Sequence, residues 1–369
     1  MKKLAIVYPV HYREFCGGAE LQISYLCHAA IQTGWEVHYI YIPHKSSLQP
    51  AGAEILHPLQ PCGEKAPFYR YRKQIAEILE QIRPDVVYTR YSSSWIKFAG
   101  EYAARHGIAH FHALASDRVA EMRNRLRDLL TPARWWEKKL LRRGMRRVRY
   151  FITQNEFQQQ QILRIFGIQG HLISQMAPRC ADEMIVKAAE PVEVYWIANL
   201  KGLKRPEIFI DLVRQLVQNP PQRPCRFYMC GRMSEKYRTM VSAAEKEIPS
   251  FRYLGELPQE EVNARLCHAH LLVNTSIYEG FSNTFVQAWM RRVPVLSMNS
   301  DPDATLSRHG LGMLTPDKEC LVRTLRMLVD APEQREKLGL RACEYAIQHH
   351  SLEKNMPQLL ALLEAAVKK

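Results

Sequence analysis

The feature that most constrains the fold is an alternation of short β-rich runs with amphipathic stretches. It passes through the first half of the chain, breaks, and starts again. Residues 4–10, 36–42, 85–90, 108–114 and 150–155 read as strands, with helical patterns at 20–32, 69–81 and 156–166. Mostly apolar, β-branched strands that alternate with helices predict a parallel sheet covered on both faces. The rhythm is interrupted at 177–190, by Pro178 and then Pro191, and resumes with strands at 192–198, 226–231, 251–255, 269–274 and 294–298. The C-terminal segment reads as consecutive helices, with Leu352, Leu359, Leu360 and Leu363 at near-helical spacing. The expectation is an α/β protein of two doubly wound, Rossmann-like lobes, residues 1–180 and 190–349, facing across a cleft. A C-terminal helix at about 350–369 returns to the first lobe. A chain of 369 residues gives each lobe enough material for its own core.

Composition narrows the class. With 47% hydrophobic and 24% charged residues the chain is globular rather than disordered. No apolar run approaches the roughly 20 residues needed to cross a bilayer. Residues 4–10 after Met1-Lys2-Lys3 imitate a signal peptide, but His11, Arg13 and Glu14 interrupt them, which favours a buried first strand. The nine cysteines form no C-x-x-C pair, so neither a disulfide framework nor structural zinc is expected. A cytoplasmic protein is the expectation.

The net charge of +14 calls for a polyanionic partner. Its main focus is residues 123–149, where eleven Arg and Lys face only Asp128 and Glu137. Trp135 and Trp136 are interleaved with Lys138, Lys139, Arg142 and Arg143, a pattern suited to a helix lying on an anionic membrane surface. Two other readings stay open: Trp136 and Leu140 as core, and a solvated basic face without a partner. No nucleic-acid-binding motif accompanies the charge, and no nucleic-acid partner is expected.

In open α/β sheets, ligands bind beyond the carboxyl ends of the strands, so the loops after the strands hold the candidate chemistry. After the run 269–274 come Glu279, Gly280, Phe281, Ser282, Asn283 and Thr284. Gly280 permits a tight turn, and Ser282 is a good N-cap for a helix through Phe285, Val286 and Trp289. A helix N-terminus in a cleft suits a diphosphate, and Glu279 beside it can accept hydrogen bonds from sugar hydroxyls.

This segment, Glu279-Gly-Phe-Ser-Asn-Thr-Phe-Val-Gln287-Ala-Trp-Met-Arg-Arg-Val-Pro294-Val, resembles the signature of the retaining glycosyltransferases of family 4. The resemblance extends in order over essentially the whole chain. It implies the GT-B architecture of two Rossmann-like lobes, and a nucleotide-sugar donor of UDP or GDP type as substrate. By that likeness Glu279 contacts the donor sugar, the amides of residues 282–284 hold the diphosphate, and position 287 hydrogen-bonds the ribose. The family's usual Glu at this last position is Gln287 here, which removes a charge from that contact. In the loop after 192–198, Lys204 matches the family's diphosphate-binding Lys, whereas its usual Arg position holds Asn199, with Lys201 or Arg205 as candidate substitutes. Two cations on a leaving diphosphate stabilise charge as the glycosidic bond breaks. The family's Gly-Gly near the diphosphate and acceptor corresponds to Gly17 and Gly18, which read alone are equally a plain turn. His112 and Asp117, around the end of strand 108–114, correspond to a region that meets the donor sugar or acceptor; a core or surface histidine is the equal alternative. Arg90 ends another strand facing the cleft.

The resemblance thus implies a sugar transfer with Glu279, Lys204 and His112 as catalytic candidates and a glycan or lipid-linked acceptor. The enzyme is expected to work peripherally on the inner face of the membrane, in polysaccharide or lipopolysaccharide synthesis. Asp301-Pro-Asp303 formally matches a metal-binding D-x-D but sits after a late strand, where a polar turn is expected, so no metal and no cofactor is predicted. Two alternatives remain: a GT-B-like sugar-nucleotide epimerase, and an inactive GT-B-like binding or scaffold protein.

Overall fold

The computed structural model describes residues 1–15, 17–44, 52–63, 66–90, 92–117 and 131–367. Cys16, Tyr91 and the first part of the basic stretch, 123–130, lie outside the described residues.

The chain divides into two compact units. The first comprises Met1–Ser174 and Asn355–Lys369, the second Gln175–Lys354. In the first unit the strands are β1 (Lys2–Val7), β2 (Trp35–Tyr41), β3 (Ile55–Pro58), β4 (Val86–Thr89), β5 (Ala109–Ala113), β6 (Tyr150–Thr153) and β7 (His171–Leu172). They form one sheet of order β3-β2-β1-β4-β5-β6-β7, with every pairing parallel. Among the described residues this unit's helices include α1 (Gly18–Gln32), α2 (Arg72–Ile82), α3 (Trp95–His106), α4 (Pro132–Met145) and α5 (Glu156–Phe166). Leu4, Ala5, Ile6 and Val7 are buried to 1% exposure or less, as a strand covered on both faces requires. On α2, Ile75, Leu79 and Ile82 recur at helical spacing and supply its buried face. Helix α5 is fixed at both ends. The Asn155 side chain accepts from Gln158 N at its start, and Gly167 adopts the left-handed conformation at its end. Helix α4 lies so close to α3 that a Cβ on Gly144 would stand 2.5 Å from Lys97 N.

The second unit repeats the plan. Strands β8 (Val192–Ile197), β9 (Cys225–Cys230), β10 (Phe251–Tyr253), β11 (Leu271–Asn274), β12 (Val295–Met298) and β13 (Gly312–Thr315) form a parallel sheet of order β10-β9-β8-β11-β12-β13. Helices α6 (Pro206–Gln218), α7 (Arg238–Glu247), α8 (Gln259–His268), α9 (Asn283–Trp289), α10 (Thr305–His309), α11 (Lys318–Asp330) and α12 (Pro332–His350) connect and cover it. The final helix, α13 (Leu352–Val367), joins the first unit from Asn355 on, and Glu364 there pairs with Lys2 at 3.2 Å.

In both sheets the strand order reverses direction at one place, between β1 and β4 and between β8 and β11. Such switch points leave a crevice where the two following loops diverge, which is where ligands of open α/β sheets bind. Strands β3, β7 and β13 and helix α3 add to the elements expected from the pattern. Strand β1 ends at Val7 and β4 at Thr89, so Arg90 sits just past its strand.

Candidate active site

At the switch point of the second sheet, the loop after β8 carries Lys204 and the loop after β11 carries Glu279. Lys204 Nζ donates to Glu279 Oε1, with the two side chains 24% and 12% exposed. Ser276 Oγ donates to the same oxygen at 2.6 Å, and Asn274 Nδ2 at 3.3 Å. All three donors converge on Oε1, so Oε2 stands outside this cluster as an acceptor.

The two loops are bound to one another below this pair. Trp196 Nε1 donates to Thr275 Oγ1 at 2.8 Å, and Thr275 Oγ1 donates to the carbonyls of Lys204 and Arg205 at 2.6 and 3.0 Å. Arg205, itself in the left-handed region at φ 49°, returns a bond from Nε to Thr275 O at 2.6 Å. The guanidinium offered as a substitute diphosphate cation therefore serves as a tie between loops. Lys201 is exposed beside it. Asn199, at the family's Arg position, accepts from Arg232 N at 3.1 Å. Gly231 makes this approach possible: at φ 138° it would set a Cβ 1.9 Å from Ala198 O.

Two residues expected at the donor are anchored to other elements through their side chains. The Phe281 ring is 7% exposed and packs on His350, with centroids 4.6 Å apart, so its side chain belongs to the core. Gln287 is 2% exposed, and its Nε2 donates to Gln259 Oε1 at 2.8 Å and Asn263 Oδ1 at 3.0 Å, both on α8. The amino group of its carboxamide is held against a neighbouring helix. Gly280 is buried in the turn. Ser282 occupies the N-cap of α9, yet makes no side-chain cap bond; its hydroxyl meets Thr284 Oγ1 at 2.9 Å. The first turn of α9 then carries Asn283 and Thr284. Asp301 caps α10, with Oδ1 accepting from Leu306 N at 2.7 Å and Oδ2 from Ser307 N at 3.1 Å, the polar turn expected there.

In the first unit, Gly17 is the N-cap of α1, which Gly18 opens. His112 is fully buried: its Nδ1 meets Thr89 Oγ1 at 2.9 Å, and the same hydroxyl meets His110 Nε2 at 2.8 Å. Burial, then His110 and Arg90, lower the His112 pKa to about 3, and burial does the same for His110. His112 is thus an enclosed, neutral imidazole at neutral pH, and its Nε2 is buried with no hydrogen-bond partner among the described residues. Arg90 is 6% exposed, with Nη1 on Tyr88 Oη at 3.3 Å. Asp117 Oδ1 accepts from Asn155 Nδ2 at 3.0 Å and Gln158 Nε2 at 2.8 Å, fastening the start of α5.

Helix α4 buries Leu140, Gly144 and Met145, and Glu137 on it accepts from Ser94 N at 2.6 Å and Tyr69 N at 3.2 Å. Trp135 and Trp136 stay 44% and 39% exposed, so Trp136 is not core. Lys139 Nζ lies 4.7 and 5.2 Å from their ring centroids. Lys138 and Arg142 are half-buried and Arg143 is exposed on the same helix. Among the described residues, no helix is long and apolar enough to cross a membrane.

Sequence reasoning missed Asn274, Thr275 and Ser276, which hold Glu279 and its loop. Their position directly at the carboxyl end of β11 was the available signal.

Residues 16–175 match the family model described as Glycosyltransferase Family 4, and residues 191–331 the one described as Glycosyl transferases group 1. The MMP alpha-(1->4)-mannosyltransferase of Mycolicibacterium hassiacum is 24% identical over 289 residues, 69% of this chain and 64% of that protein. Across three curated relatives that it matches, the chain spans between 35% and 64% of their length. The solved structure of HepE from Anabaena, in complex with UDP and glucose, superposes with a TM-score of 0.75 at 14% identity, over 99% of this chain and 100% of that one. WaaG, a glycosyltransferase involved in lipopolysaccharide biosynthesis, does so with a TM-score of 0.73 at 13% identity, over 98% and 99%. These structures share the two-lobed GT-B fold, the two family models together cover most of the sequence, and the chain belongs to the glycosyltransferases of the family 4 type.

Proposed function

We propose that this glycosyltransferase moves a sugar from a UDP- or GDP-sugar to a membrane-associated glycan acceptor, with the anomeric configuration retained. The observation that carries the reading is the pair of Lys204 and Glu279 at the β8/β11 switch point. A cation and a carboxylate there match the two ends of a sugar diphosphate. Lys204 and the first-turn amides of α9 meet the diphosphate, and Glu279 Oε2 accepts from a sugar hydroxyl. HepE, which shares the fold, was solved with UDP and glucose, which supports a nucleotide-sugar donor. WaaG's role in lipopolysaccharide biosynthesis, together with the exposed tryptophans and cations of α4, supports a glycan acceptor at an anionic membrane face.

In this reading the bond from the anomeric carbon to the diphosphate oxygen breaks as the acceptor oxygen bonds to that carbon on the same face. The acceptor proton passes to the departing phosphate oxygen. Lys204 stabilises the charge that grows there. The reading assigns this charge to Lys204 and the amides without a metal; that both oxygens of Asp301 accept from amides of α10 supports the assignment.

The test is release of UDP or GDP from a panel of UDP- and GDP-sugars, with and without a lipid-linked acceptor, with the product anomer read by NMR. Lys204→Met should lower kcat by about 100- to 1000-fold, the usual cost of one transition-state charge contact. Calorimetry that detects no binding of UDP or GDP would sink the reading. Trapping of a glycosyl group on a side chain would overturn the same-face mechanism.

A further inference from the structure

A second group of cations gathers at the opposite edge of the second sheet. A cavity of about 510 Å³ there is lined by Lys187, Arg223, His270, Arg292, Arg335 and Glu336, with Ile185, Ala188 and Leu340 among its apolar walls. Lys187 precedes β8, Arg223 precedes β9, His270 directly precedes β11, and Arg292 precedes β12. In a wholly parallel sheet the cavity therefore lies at the amino ends of the strands. Lys204 and Glu279 follow β8 and β11, at the carboxyl ends. A six-residue strand such as β8 sets the two edges about 20 Å apart.

The cavity holds more positive charge than its own carboxylate offsets. Arg292 bonds Asp182 Oδ1 at 2.6 Å and Arg223 bonds Glu190 Oε1 at 3.3 Å, acids outside the lining, and Glu336 is the acid on the wall. Among the described residues, neither Lys187 nor Arg335 forms an ion pair. Lys187 Nζ donates to Arg292 O at 2.6 Å and keeps further N–H groups to offer. Arg335, 6% exposed, gives Nη1 to the carbonyls of Leu328 and Val329 at 2.5 Å each. Burial, with Arg292 and Arg335 close by, pulls the Lys187 amine down to about 7. Arg292 itself sits in the left-handed region at φ 56°, where glycine or asparagine is ordinary. Pro332, the first residue of α12, brings the positive end of a 19-residue helix to the same cavity.

We propose that this cavity is a second ligand site that binds a small phosphate monoester, with the phosphate on Lys187 and the guanidinium groups beside it. Planar guanidinium and ammonium donors are the side chains that best match a phosphate dianion. The volume exceeds what inorganic phosphate fills and accommodates an attached organic body against Ile185, Ala188 and Leu340. Glu336 is placed on the wall to accept from hydroxyls of that body. The site stands independently of the proposed donor and acceptor, because none of its residues takes part in the transfer.

The experiment is isothermal titration of the full chain with glucose 6-phosphate, inorganic phosphate and glucose, for the native protein and for Lys187→Met, Arg223→Ala and Lys204→Met. Glucose 6-phosphate should bind more tightly than inorganic phosphate, and glucose should not bind. Lys187→Met should weaken binding by about tenfold or more, the usual effect of losing one charge-assisted bond, and Lys204→Met should leave it unchanged. Arg223→Ala, a change at a half-exposed side chain, should weaken it in the same direction and serves if Lys187→Met does not fold. The proposal is overturned by no binding of glucose 6-phosphate up to about 10 mM, an affinity too weak for a built site. It is equally overturned if inorganic phosphate binds as tightly, or if binding is lost in Lys204→Met and kept in Lys187→Met. The last pattern would assign the phosphate to the donor site and leave the transfer reading intact.

Discussion

Gln287→Leu separates the structure's account of this site from the family likeness. The side chain is 2% exposed, and its Nε2 donates to Gln259 Oε1 at 2.8 Å and Asn263 Oδ1 at 3.0 Å. Leucine has a similar volume and removes both bonds. A net contribution of about 0.5–1.5 kcal/mol per bond gives a loss of roughly 1–3 kcal/mol. Gln259 and Asn263 are only half-buried, so water takes over part of the bonding and the lower end, about 1–2 kcal/mol, applies. For a unit of about 180 residues this corresponds to a fall in Tm of roughly 2–8 °C.

The assay pairs differential scanning calorimetry with titration of UDP and GDP. If Gln287 braces α9 against α8, Tm falls as stated and nucleotide Kd changes by less than about threefold. A ribose contact predicts the reverse: Tm unchanged, and nucleotide binding weakened by about tenfold or more. That outcome would refute the placement of the carboxamide on α8 and restore position 287 to the donor site.

Three further outcomes follow from the geometry. His110 and His112 have folded pKa values of about 3, depressed from an unfolded value near 6.5, so the unfolded chain binds more protons between those limits. Their contribution to stability is complete above about pH 6.5 and is lost as pH falls towards 3; urea unfolding should show that acid limb, and the double change His110→Asn, His112→Asn should flatten it. Gly144→Ala would set a Cβ 2.5 Å from Lys97 N, and overpacking of about 1–3 kcal/mol outweighs the gain in helix propensity of about 1 kcal/mol, so chemical denaturation should find the variant less stable. On α4, the double change Lys138→Gln, Lys139→Gln removes two surface cations worth about 1 kcal/mol each near an anionic bilayer, so binding to phosphatidylglycerol vesicles should weaken roughly 30-fold at low salt, and equal binding would remove α4 from the membrane reading.

The parallel sheets were legible because strands buried on both faces are written as continuous apolar runs, such as Leu4–Val7 in β1. The edge strands β3 and β13 were not, because their partly exposed residues lack that run. Helix α3 was hidden for a related reason. Trp95, Ile96, Phe98, Ala99, Tyr102 and Ala103 are all buried, so its apolar positions fill most of its circumference and show no clean stripe. At the candidate site, Glu279 and Lys204 were legible because both sit in loops that follow strands. The fates of Gln287, Phe281 and Arg205 were not, since their partners lie on other elements: α8 for Gln287, the end of α12 for Phe281, and the loop after β11 for Arg205. Charge shows the same division. The excess at 123–149 is visible because it is contiguous in sequence. Lys187, Arg223, Arg292 and Arg335 are scattered over 149 residues, counted inclusively from 187 to 335, and no window of the sequence contains them together. Parallel topology assembles the first three, since residues ahead of β8, β9 and β12 meet at one sheet edge as residues just after strands meet at the other; Arg335 joins them from the first turn of α12. A parallel sheet therefore has two places where distant loops converge, and in this chain both edges carry paired or clustered charge.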